Sequence, residues 1–128
     1  MIIEHVAVWT RDLEEMKNFF TEFFNGKAGE KYINSKTGFH SYFISFDGGA
    51  RLEIMQIPGI SIENNRDEQF YGYSHIAFSV GSRERVDDLT ERLRSRNYRV
   101  TREPSQTGDG YYESCILDLN NNRIEITV

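Results

Sequence analysis

Apolar residues recur at i, i+3 and i+4 over residues 12–24, where Leu13, Met16, Phe19, Phe20, Phe23 and Phe24 form one stripe. They do so again over 83–96, with Val86, Leu89 and Leu93. This is the period of an amphipathic helix. Asp12 and Ser82 stand where N-caps belong, and Glu15 follows Asp12 at capping-box spacing. Gly26 is expected to end the first helix. Just upstream of each helix the period is two. Ile3, His5, Ala7 and Trp9 alternate with Ile2, Val6 and Val8, while His75, Ala77 and Ser79 alternate with Ile76, Phe78 and Val80. Both read as strands.

The two strands are near copies. Setting His5 on His75 pairs Val6 with Ile76 and Ala7 with Ala77. Farther along, "YFISFDGGARLEIM" (42–55) aligns without a gap on "SCILDLNNNRIEIT" (114–127), each a strand, a polar turn and a strand. Room remains for one more strand near 29–33 and another near 99–102. Each half therefore reads β-α-β-β-β, with repeats at 1–57 and 73–128 and a polar linker at 58–72. The expected fold is α+β. The two tandem modules form one domain over residues 1–128, with a concave, partly closed mixed sheet and helices outside.

The length of 128 residues suits one domain built from two such modules. A net charge of −5 and a pI near 5.2 argue against nucleic acid and anionic membrane as partners. No apolar run approaches the roughly 18 residues of a membrane span, and the N-terminus reads as the first strand rather than a leader. Cys115, the single cysteine, excludes an internal disulfide, fits a reducing cytoplasm and reads as a small core residue.

The alternation places unusual chemistry on one side of the strands. In the final strands of the halves, Arg51, Glu53 and Met55 oppose Leu52 and Ile54, and Arg123, Glu125 and Thr127 oppose Ile124 and Ile126. One face is consistently apolar and belongs under the helices. The other carries His5, Glu53, His75 and Glu125 at repeat-equivalent positions. Taken singly, a strand histidine is more often a packed residue, and a terminal-strand glutamate more often faces solvent. Four at matching places point to a metal centre. Imidazole nitrogen and carboxylate oxygen suit a borderline divalent ion, one per site: Zn²⁺ or Ni²⁺ first, then Co²⁺, Mn²⁺ or Fe²⁺. Arg51 and Arg123 share that face, as substrate-anion contacts or as rim residues. His40, opposite Tyr112 in the alignment, reads as a rim residue.

Paired β-α-β-β-β modules, with His on the first strand and Glu on the last strand of each, resemble the vicinal oxygen chelate superfamily. This group holds glyoxalase I, bleomycin-resistance proteins and extradiol dioxygenases. The resemblance spans the chain and includes "VTREPSQTGDGYYESCILDLNNNRIEI" (100–126), although Asp118-Leu119-Asn120-Asn121-Asn122 lacks the Pro and Gly of the family turn. The order His, Glu, His, Glu resembles the glyoxalase I ligand set, which falls here on His5, Glu53, His75 and Glu125. The resemblance implies isomerisation of a methylglyoxal–thiol hemithioacetal, with Glu125 as base and Glu53 facing it as ligand and second base. Bacterial glyoxalase I usually has arginine where Trp9 stands and asparagine where Ile57 stands, so Trp9 is assigned to substrate binding without a glutathione contact set. Alternatives are a drug- or metabolite-sequestering protein, its cleft lined by Trp9, Phe39, Tyr42, Tyr111 and Tyr112, and an extradiol-type dioxygenase. The resemblance and the long linker also imply a homodimer with sites shared between chains.

Overall fold

The computed structural model, which describes residues 1–63, 68–69 and 71–128, divides into two units, Met1–Ile62 and Glu63–Val128. Each has its own helix and its own sheet. The boundary falls inside the expected linker, part of which (64–67 and 70) lies outside the described residues.

In the first unit β1 (His5–Trp9) leads into α1 (Leu13–Phe23). Asp12 caps the helix by accepting from the Glu15 backbone N–H at 2.9 Å. The helix ends at Phe24, and the left-handed residue after it is Asn25 (φ 53), not Gly26. Gly26 has a different reason to be glycine: a Cβ there would stand 2.5 Å from the Ile44 side chain. The strand expected near 29–33 is two short pieces, β2 (Lys27–Ala28) and β3 (Tyr32–Asn34), both antiparallel to β4 (Phe39–Ser45). β5 (Arg51–Gln56) lies between β4 and β1, antiparallel to the first and parallel to the second.

The second unit repeats the plan as β6 (His75–Ser79), α2 (Arg83–Ser95), β7 (Val100–Gln106), β8 (Tyr112–Leu117) and β9 (Arg123–Thr127), in the sheet order β6-β9-β8-β7. Ser82 caps α2 through the Arg85 N–H, and Asn97 (φ 66) follows its end as Asn25 follows α1. β7 runs past the expected 99–102 and through Pro104. It is an edge strand, where a missing N–H is tolerated, and its register with β8 shifts on both sides of Arg102. The α+β class and the paired modules are as expected. Among the described residues, the single partly closed sheet is instead two open mixed sheets, one per unit, because β1 and β6 each end their sheet with one neighbour.

The helices cover the apolar faces. Met16, Phe19 and Phe20 of α1 pack on Ile44, Leu52 and Ile54 of the sheet, all essentially inaccessible. Truncating Phe19 or Phe20 to alanine removes about 3–5 kcal/mol of such packing. Val86 and Leu93 of α2 do the same on Ile116, Ile124 and Ile126, with a polar pair among them: the hydroxyls of Thr90 and Ser114 share a hydrogen bond at 2.7 Å. The Asn120–Asn122 turn is tied by Asp118, whose carboxylate accepts from the backbone N–H groups of Asn120 and Asn122 and from the Asn122 side chain. Burial pushes this carboxyl up, while the Asn122 contacts pull the other way. With the Pro and Gly absent, a buried acceptor and a left-handed Asn121 (φ 64) make the turn.

Candidate functional site

Helix coverage of one sheet face leaves the other for chemistry. In the first unit, β1 and β5 are parallel with Ala7 opposite Glu53, which sets His5 and Glu53 diagonally on the helix-free face. His5 Nε2 and Glu53 Oε2 are 4.0 Å apart. In the second unit, Ala77 opposes Glu125, and His75 Nε2 lies 3.0 Å from Glu125 Oε2. Exposure matches as well: the imidazoles are 41% and 39% accessible and both carboxylates 16%. Two donors about 2.1 Å from one ion are about 3.0 Å apart at a right angle and about 4.2 Å apart when opposed. Each pair has that bite, with donors that suit a borderline divalent cation. Within each unit, among the described residues, the set stops at the pair, and no third ligating side chain completes a metal-holding group.

The surroundings of the pairs differ. Behind His5, Nδ1 contacts the Glu4 carboxylate, whose other oxygen accepts from Arg51, with Nε at 2.8 Å. His5, and then Arg51, hold the Glu4 carboxyl below the usual carboxylate range. The Arg51 guanidinium also lies over the Phe43 ring at 4.1 Å, and that ring meets His5 edge-on. Behind His75, Nδ1 has only the Ser74 hydroxyl at 3.4 Å among the described residues. Among the described residues, Glu125 in turn has a cation that Glu53 lacks: Arg102 Nη2 donates to Glu125 Oε1 at 3.0 Å and to Glu113. The Nε of Arg102 is shut from solvent without a hydrogen-bond partner among the described residues.

Of the other expected site residues, Arg123 donates to the Glu68 carbonyl at 3.2 Å, and Trp9, still 44% exposed, meets Phe39 edge-on. Tyr42 and Tyr112, expected in a cleft, are on the helix sides. Tyr42 donates to Glu14 of α1 beneath the Lys17 ammonium, and Tyr112 donates to Asp87 of α2 beside Arg83. The alternation in β4 and β8 accounts for this, since Tyr42 shares parity with buried Ile44, and Tyr112 with buried Ser114 and Ile116. Cys115 is buried, and burial pushes its thiol up, which suits packing rather than attack. Glu4, Arg102 and Glu113 are the participants that sequence reasoning missed. Pro104 inside a strand pattern was the one available sign of the irregular edge that aims Arg102.

Residues 2–126 match the family model of the Glyoxalase/Bleomycin resistance protein/Dioxygenase superfamily. The chain belongs to that superfamily. The Bacillus subtilis (strain 168) protein YqjT is 27% identical over 127 residues, covering 97% of this chain and 96% of its own. Among solved structures, the glyoxylase/bleomycin resistance protein/dioxygenase domain from Frankia sp. EAN1pec superposes with a TM-score of 0.82 at 21% identity, covering 100% of this chain and 97% of that one. Glyoxalase I from Zea mays gives 0.79 at 20% identity, covering 98% of this chain and 44% of that one. At these identities the likeness is one of fold. No helix among the described residues is long and apolar enough to cross a membrane.

Proposed function

We propose that this superfamily member is a metal-dependent, glyoxalase I-like lyase that isomerises a hemithioacetal of methylglyoxal and a thiol. The observation that carries the reading is the facing of His Nε2 and Glu Oε2 at repeat-equivalent positions of both units. His5, Glu53, His75 and Glu125 would together hold one divalent ion, with Zn²⁺ or Ni²⁺ first. When bound, that ion supplies Lewis acidity for negative charge on two vicinal substrate oxygens. Glu125 takes the proton from the carbon beside the carbonyl and returns it to the neighbouring carbon, so the net change is an isomerisation. Glu53 serves as the fourth ligand and second base. Trp9, half-exposed against Phe39, offers an apolar wall for the substrate. Arg51 and Arg123 serve as anion contacts only by leaving Glu4 and the Glu68 carbonyl.

We further propose a homodimer in which His5 and Glu53 of one chain meet His75 and Glu125 of the other. The open edges of β1 and β6 support this, because an unpaired edge strand is a surface that calls for cover. The sequestering alternative loses support with two of its five aromatic residues on the helix sides.

Metal analysis of the purified chain, followed by hemithioacetal assays over a panel of thiols, tests the reading. Stoichiometric metal and turnover with at least one thiol are expected, and Glu125→Gln should lower the rate constant far more than substrate affinity. Purification without divalent ion, and none taken up on addition, would end it. Oxygen uptake with a catechol would move the chain to the dioxygenase class.

A further inference from the structure

One row of the second sheet runs across all four strands: Ala77 beside Glu125, Glu125 beside Cys115, and Cys115 beside Arg102. Arg102 stands on the edge strand between two register shifts, a setting that re-aims a side chain. It reaches over the small, buried Cys115 to place Nη2 on Glu125 Oε1, two strands away. Glu113, two residues before Cys115 and so on the same face, holds the same nitrogen.

We infer that Arg102 and Glu113 form a tuning pair that sets how strongly Glu125 acts as a ligand. The inference rests on the metal reading above. Arg102 occupies one oxygen of Glu125 and leaves the other, Oε2, directed at His75. It also places a positive charge beside a carboxylate whose charge would otherwise go wholly to a bound cation. Glu113 draws part of the guanidinium away and moderates that effect. Arg102 is a positioning residue, because it acts through Glu125.

The roles give opposite signs. Removing the guanidinium frees Glu125 and takes a cation from beside the ion, so divalent binding tightens. Neutralising Glu113 gives Arg102 wholly to Glu125, so binding weakens. A role confined to holding β7 on β8 would give no such opposition, since both losses would loosen the same strands.

The experiment titrates the metal-free full-length chain with Co²⁺, read by visible absorption and by competition with Zn²⁺. It compares wild type, Arg102→Met, Arg102→Lys, Glu113→Gln and His75→Ala, with folding checked by circular dichroism. Arg102→Met should bind about tenfold tighter and Glu113→Gln about tenfold weaker, the lower end of what outer partners of metal ligands contribute. Arg102→Lys, which keeps the charge, should stay within about threefold of wild type. If Arg102→Met does not fold, the weakening in Glu113→Gln and its absence in a Glu113→Gln, Arg102→Gln double variant, which has no cation to give Glu125, carry the test. Loss of binding in His75→Ala beside unchanged affinity, or shifts of the same sign, in the Arg102 and Glu113 variants overturns the tuning pair and leaves the metal reading standing. Unchanged binding in His75→Ala overturns both.

Discussion

The two units carry the same His–Glu pair on the same strands and surround it with opposite electrostatics. In the first, a carboxylate stands behind the imidazole, and the nearby arginine is spent on that carboxylate and on the Phe43 ring. In the second, a hydroxyl stands behind the imidazole, and an arginine sits on the glutamate itself. The difference arises at two equivalent positions, Glu4 against Ser74 and Phe43 against Cys115. Phe43 and Cys115 are equivalent, each paired with the site glutamate of its unit. A phenyl ring fills the row in one unit, while a thiol leaves it open to an arginine in the other. The repeat keeps the His–Glu pair, and divergence of its neighbours makes the halves chemically unequal; on the metal reading proposed above, the first would be the electron-rich anchor and the second the weaker, adjustable side.

The largest test of that inequality removes the imidazoles. Both His5→Ala and His75→Ala should lose at least a hundredfold in divalent affinity, judged against the 10–100-fold of outer-partner losses, with unchanged secondary structure. His5→Ala should lose the more. Equal losses by equilibrium dialysis with Zn²⁺ would erase the anchor. The same two variants examine the shared site, because mixed dimers should regain one unmutated quartet and its bound metal. No recovery after subunit exchange, or a monomer by sedimentation, would rule out sharing.

A middle-sized effect belongs to the residues behind the imidazoles. Glu4→Gln removes the carboxylate that orients His5 and should weaken metal binding by roughly tenfold, whereas Ser74→Ala should change it by less than about threefold. Competition titration of the two variants side by side would expose a reversed order.

The smallest effect concerns pH and sharpens the comparison away from the site. Glu14 of α1 accepts from Lys17, Lys31 and Tyr42, and the two lysines hold its carboxyl down to about 2. A depressed carboxyl adds stability above its unfolded pKa that is lost as pH falls toward the folded one. The window is therefore from about 4.5 down to about 2. Glu14 is half-exposed, so screening keeps the contribution small. In Glu14→Gln the thermal midpoint should fall slightly at pH 7 and depend less on pH within that window. A wild-type slope there would assign the acid sensitivity elsewhere.

Much of this was legible in the sequence because it depends on periodicity. The helices, their caps, the gap-free hairpins and the faces bearing His5, Glu53, His75 and Glu125 follow from side-chain alternation, which sterics fix residue by residue. What was not legible depends on breaks in that alternation. The split of β2 from β3 and the register shifts around Arg102 change which residue meets which, and no local pattern encodes them. Tyr42 and Tyr112 were misjudged because aromatic residues beside a polar face suggested a cleft, although their parity with Ile44 and Ser114 already assigned them to the helices. Gly26 read as a helix stop, but its smallness answers to Ile44, a contact that folding alone creates.

The parallel pairing of first and last strands has a consequence for how the protein reaches its working state. His5 meets Arg51, and His75 meets Arg123, only after nearly an entire module has been threaded between them. The α1 and α2 turns and the β4–β5 and β8–β9 hairpins close over short loops, so these seams carry the entropy of the longest closure in each unit. The His–Glu pairs lie across those seams. On the metal reading proposed above, a cation held by both members of a pair would act as a latch on the costliest closure in its half, and loss of β1 or β6 from its sheet would take the pair apart.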